Sequence, residues 1–110
     1  MKIKVSELQG TALDWAVAKC EGHPDLFDMD RVYGIKVYRP FDEFEYFEPS
    51  INWEQGGPII ERERMGVFPL GEGWASGFQN GPTPLIAAMR CYVASKLGDE
   101  VELPEELNHV

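Results

Sequence analysis

The sequence predicts an α+β fold, two principal helices packed on a small antiparallel sheet with a short extra helix. Three observations carry that expectation. Two long segments place apolar residues at helical spacing between recognisable ends. The segment VYGIKVYR alternates as a strand does, and two apolar runs flank the glycine-bearing PLGEG as in a β-hairpin. The chain has 110 residues, the size of one domain spanning positions 1–110, with neither an internal repeat nor a low-complexity linker to divide it.

Along the chain, Ser6 followed by Gln9 resembles a capping box, and Leu13, Ala16, Val17 and Cys20 recur at helical spacing before Gly22 and Pro24. Helix one is therefore expected from about Ser6 to Glu21, with Thr11 as an alternative cap because Gly10 weakens the first turn. From Arg31 to Arg39 the pattern puts Tyr33, Ile35 and Val37 on a buried face, and Pro40 ends the strand. The next stretch, FDEFEYFEP, alternates aromatics with acids and fits either a short strand or an extended acidic loop. Ser50 is a candidate cap, yet Gly56, Gly57 and Pro58 interrupt the helix it would start. The expectation is a turn through NWEQGG that holds Trp53 against the core, then a short helix from Pro58 to about Arg64.

Met65 to Phe68 and Trp74 to Phe78 form the predicted hairpin, and the second principal helix comes directly after it. Thr83 supplies its cap, Pro84 its first residue, and Gly98 its left-handed end, with Lys96 at the negative end of the helix dipole. Leu85, Ala88, Met89, Tyr92 and Val93 make one face, and Ile86, Ala87, Cys91 and Ala94 widen it toward full burial. After it, Val101 and Leu103 alternate with acids, and PEELNHV reads as a short turn and a frayed tail.

Nineteen acidic against ten basic side chains give a net charge of −9, which opposes direct binding to nucleic acid or to anionic membranes. Such a charge suits a basic protein partner or imitation of nucleic acid. No apolar run of signal-peptide or membrane-spanning length is present, so a cytoplasmic protein is expected. Cys20 and Cys91 are assigned to the core as thiols.

Several residue groups could carry chemistry. Cys20 and His23 have a chelate-like gap, but Cys91 and His109 share no local spacing that would complete a zinc site, so no metal or other cofactor is assigned. Asp14, Glu54, Glu61 and Glu63 are the carboxylates from which an acid and base pair could be drawn, though nothing in the sequence assembles them. No catalytic residue is assigned. The EQGGP turn could cradle an anion, giving a ligand site of Asn52, Trp53, Gly56, Gly57 and Arg90. Arg90, in an otherwise apolar helix, is expected to reach solvent or to pair with an acid such as Asp14 or Glu61. Any of Trp15, Trp53 and Trp74 left exposed would make a partner anchor.

Three segments together resemble the NinX-like family of phage-encoded proteins: SELQGTALDWAVAKCEG, PSINWEQGGPIIERE and GPTPLIAAMRCYVASKLGDEVELPEEL, with GEGWAS between the last two. The stretch from Asp25 to Phe47 lies outside the resemblance. It implies a phage or prophage accessory protein acting inside the host bacterial cell, and brings no catalytic residue with it. The leading functional expectation is a noncatalytic acidic module that binds a host or phage protein, with Tyr33, Phe41, Phe44, Tyr46 and Phe47 as contact region and a nucleic acid mimic as a special case. The alternative is a small enzyme or ligand binder using the Gly-Gly-Pro turn and Arg90, and self-association is a third possibility.

Overall fold

The computed structural model describes residues 2–22, 27–30, 34–38 and 44–107. The chain opens with β1 (Lys2–Lys4), a 3-10 turn at Val5–Glu7 and α1 (Gly10–Cys20). Strands β2 (Phe27–Asp30), β3 (Gly34–Tyr38) and β4 (Phe44–Phe47) lead to α2 (Trp53–Arg62). Then come β5 (Phe68–Leu70), β6 (Gly73–Ser76), β7 (Gln79–Gly81), α3 (Pro84–Leu97), β8 (Glu100–Glu102) and a final 3-10 turn at Glu105–Leu107. The class is α+β, but the strands form three antiparallel sheets: β1–β8, β2–β3–β4 and β5–β6–β7.

The last helix has the predicted ends. Thr83 Oγ1 accepts the Ile86 amide at 3.1 Å, Pro84 is the first helical residue, and Gly98 leaves the helix at a φ of 89°. Its apolar residues surround the axis, so it runs through the core and packs on α1, α2, β6 and β7. Helix α1 starts later than a Ser6 cap would place it. Val5 and Leu8 are both sealed in the core, and the extended step at Leu8 and Gln9 that puts them there leaves no helix to cap at Ser6. From Ala12 to Ala18 every α1 residue is buried, Asp14 included.

The middle helix corrects the expected turn. Asn52, and not Ser50 or Pro58, starts it: its side chain accepts the Glu54 amide at 2.9 Å, and the helix runs unbroken through Gly56, Gly57 and Pro58. The proline removes the amide that would have bonded to the exposed Glu54 carbonyl, one turn earlier on the solvent side. Gly56 is required by packing, because a Cβ there would lie 2.5 Å from the Pro49 carbonyl oxygen and 2.6 Å from Leu85 Cδ2. The helix closes with a Schellman motif, Met65 N bonding to Ile60 O at 3.0 Å and Arg64 N to Glu61 O at 3.2 Å, with Arg64 itself at a φ of 53°.

Strand β3 buries Ile35 and Val37, as its alternation predicts, and β4 resolves the open choice for FDEFEYFEP in favour of a strand at its second half. The Gln55 side chain clips α2 to the end of β4, accepting from Glu48 N at 2.6 Å and donating to Tyr46 O at 2.8 Å. The predicted hairpin forms with shifted bounds, Pro69 and Leu70 of its expected loop pairing in β5 while residues 65–67 precede the strand. It is one half of a meander whose two turns, Gly71-Glu72 and Gly77-Phe78, each begin with a glycine at positive φ. Beyond α3, β8 returns to β1 so that Lys2 faces Glu102 and Lys4 faces Glu100. Val101, Leu103 and Leu107 are buried, so the expected frayed tail is anchored as far as Leu107.

Candidate functional site

At the C-terminal ends of α1 and α2, polar side chains join three helices. Arg62 grips the Glu21 carboxylate with two bonds of 3.0 and 2.6 Å, donates to Glu63 at 2.9 Å, and reaches the Tyr92 hydroxyl of α3 at 3.1 Å. Tyr92 in turn donates to Glu21 at 2.5 Å, and Lys96 stands 3.5 Å from Glu63. Burial and the bond to Glu21 raise the Tyr92 pKa, while the bond from Arg62 lowers that of Glu63. Each carboxylate here is matched by a cation, which makes the group a clamp between helices. Glu63 is thus engaged by Arg62 and Lys96, whereas the Asp14 carboxyl is buried on α1 and accepts the Ser50 amide at 2.9 Å. Glu54 and Glu61 are exposed on α2, and the four predicted carboxylates make no shared centre.

The residues around the Gly-Gly-Pro sequence are occupied with holding α2. Asn52 caps it and Gly56 is pressed against Pro49 and Leu85, while Gly57 has room for a Cβ at an ordinary 3.8 Å from Trp53. Trp53 itself points away from the core and is 56% exposed, contrary to its expected burial. The cleft that Arg90 lines includes none of these residues.

Arg90 departs from both of its expected arrangements. Its residue is only 8% exposed, so it does not extend into open solvent, and no acid among the described residues pairs with it. The guanidinium instead donates through Nε to the Leu8 carbonyl and through one terminal nitrogen to the Asn80 carbonyl, both at 2.8 Å. Burial lowers its pKa below the ordinary arginine value. It forms part of the wall of a cleft of about 510 Å³ between the meander and α3, together with Leu70, Glu72, Gly73, Trp74, Asn80, Gly81 and Pro82. Close approach of the two layers depends on glycine. A Cβ on Gly73 would meet the Gly81 carbonyl oxygen at 2.7 Å, and one on Gly81 would meet Ile86 Cγ2 at 2.8 Å and the Ala87 amide at 2.9 Å. Arg90 and Trp74 stand out in the sequence, whereas Glu72, Asn80 and Pro82 do not, because only the meander topology brings them to one place.

Of the predicted contact region, Tyr33 and Phe41 lie outside the described residues and Phe44 lies in β4. Tyr46 is half-buried, and Phe47 is a core residue at 9% exposure, opposite Ile35, which removes it from any surface. Among the described residues, the exposed large apolar ones sit elsewhere: Ile51 and Trp53 at the start of α2, Phe68, Leu70 and Phe78 on the meander, and Leu97 at the end of α3. Phe78, second in its two-residue turn, is as open to solvent as in an extended chain. Phe68 and Leu70 project from the edge strand β5 opposite Ala75 and Gly73, which offer little side chain to cover them.

Cys20 and Cys91 are free thiols, each half-buried, and burial pushes the Cys20 pKa up to about 11, away from nucleophilic or ligand chemistry. His23 and His109 lie outside the described residues, and among the described ones no three metal-binding side chains gather. No helix among the described residues is long and apolar enough to cross a membrane.

The family model described as Bacteriophage P22, NinX matches residues 4–96. The chain belongs to the NinX family. No curated protein matches it. The match runs from β1 through nearly all of α3, so it includes the whole meander and the Arg90 cleft, and it extends across the Asp25 to Phe47 stretch that the motif resemblance leaves outside. Membership in the NinX family makes this a phage accessory protein.

Proposed function

We propose that this NinX-family protein works by binding a host or phage protein, and that the meander carries the contact surface. The observation behind this reading is Phe78, an aromatic ring placed at the tip of a tight turn where the fold makes no use of it. Turn tips favour small polar residues, and an uncovered ring there has no folding benefit to offset its exposure to water. Phe68 and Leu70 add apolar area on the neighbouring edge strand, and Trp53 with Ile51 offers a second anchor of the kind that dominates binding energy. Imitation of nucleic acid is less well supported, since Glu100 and Glu102 face lysines and Glu21 and Glu63 are engaged by Arg62. A photo-crosslinking amino acid at position 78, compared with one at exposed Glu61, tests the surface. The proposal expects one discrete adduct from position 78 in phage-infected cells and none from position 61. Equal labelling from both positions, or none from either, would refute it. The same adduct from the purified chain alone would make the partner a second copy.

A further inference from the structure

We propose that the Arg90 cleft is a binding site for a monovalent organic carboxylate with an apolar or aromatic body. A guanidinium has five N–H donors, and the carbonyls of Leu8 and Asn80 take two of them. Those two bonds hold the planar group from two elements, the link before α1 and β7. The charge is thereby held in place before any ligand arrives, so little side-chain freedom remains to be lost on binding. A structural role as a bridge between carbonyls accounts for the two bonds but not for the charge, which is costly to bury without a carboxylate partner. The missing element is an anion, and the cleft that Arg90 lines is where one can enter.

The remaining wall defines the kind of anion. Leu70, Trp74 and Pro82 present apolar and aromatic surface beside the polar Glu72 and Asn80, and the glycines at positions 73 and 81 complete the wall. Arg90 is the single cation among the described lining residues, and Glu72, which has no ion-pair partner among the described residues, lies in the same wall. A dianionic phosphate would meet one positive and one negative group in a chain of net charge −9. A carboxylate asks for one guanidinium, which it can engage with two parallel bonds. The volume of about 510 Å³ falls in the range of small-molecule sites.

The test is an NMR titration of the full-length ¹⁵N-labelled chain with N-acetyl-phenylalanine, with the uncharged N-acetyl-phenylalaninamide, and with inorganic phosphate. Saturable shifts are expected at the Arg90 Nε–H, the Trp74 indole N–H and the amides of residues 73 and 81, with the exposed Trp53 indole unmoved. The amide should bind about tenfold more weakly. Absent shifts, equal affinity for acid and amide, or tighter binding of phosphate would overturn the assignment. Glu72→Gln, an exposed change, should tighten the acid about two- to threefold by removing a like charge, and an unchanged or weaker affinity contradicts that part. Arg90→Lys should lose about tenfold in acid affinity, and retention of affinity would overturn the proposal. If that variant fails to fold, the acid and amide comparison on the native chain still decides.

Discussion

Asp14 is the residue whose protonation bears most directly on stability. Burial raises its pKa from 3.8 to about 6, against the lowering effect of the Ser50 amide it accepts. A carboxyl with a folded pKa above its unfolded value favours the fold when protonated. Its contribution is fully present below pH 3.8 and is lost as pH rises through about 6. The native chain should therefore lose about 3 kcal/mol of this contribution across that window, and Asp14→Asn, which keeps an acceptor for Ser50, should remove it. Chemical denaturation of the two proteins at a series of pH values measures the difference. The role of Asp14 is not legible in the sequence because its partner lies 36 positions away, and that of Arg90 is hidden for the same reason, its Leu8 partner being 82 positions distant. Both groups look like surface charges when only their neighbours along the chain are considered.

Elements are legible where their signals are local. Helix α3 is readable from end to end because cap, first-turn proline and terminal glycine are adjacent to it in sequence. Helix α2 is not, since Gly56, Gly57 and Pro58 signal a break, while the reason for Gly56 is the Pro49 backbone and Leu85 pressing on it from outside. The two glycines should accordingly respond in opposite ways. Gly56→Ala gains helix propensity but forces backbone apart, and should destabilise by about 2 kcal/mol. Gly57→Ala meets only Trp53 at an ordinary 3.8 Å and should stabilise by up to about 1 kcal/mol. At the other end of the same helix, Arg64→Gly should stabilise by about 1 kcal/mol, because an L residue there holds a left-handed conformation. Thermal unfolding of the three variants checks all of this. The short strands β1, β2, β7 and β8 escape sequence reading, being three or four residues long, and β1 and β8 are besides defined by pairing with each other across nearly the whole chain.

On the scale of the molecule, the chain ends are tied together and α3 runs between the layers they close. The β1–β8 ladder, with its two lysine and glutamate pairs, brings Val101 to the core, and Leu103 and Leu107 come with it. Each such buried side chain contributes about 1.5–3 kcal/mol, so losing all three approaches the total stability of about 5–15 kcal/mol usual for a domain. A chain cut after Gly98 should therefore show no cooperative thermal transition by circular dichroism, and a transition near that of the full chain would contradict this account of the core. The fold class is legible from hydrophobic pattern, but the working surface is not. The pattern draws attention to the aromatic and acidic stretch before α2, where Phe47 proves to be core, while the exposed rings among the described residues stand on the meander and at the start of α2. The central claim is that this meander is where a partner binds. Sedimentation of the tagged protein in lysates of phage-infected cells, compared with its Phe68→Ser, Phe78→Ser double variant, tests it most directly. The account predicts that the native protein sediments faster than the free chain, and that the double variant melts at the same temperature yet sediments as the free chain. A folded double variant that sediments with the native protein would contradict it.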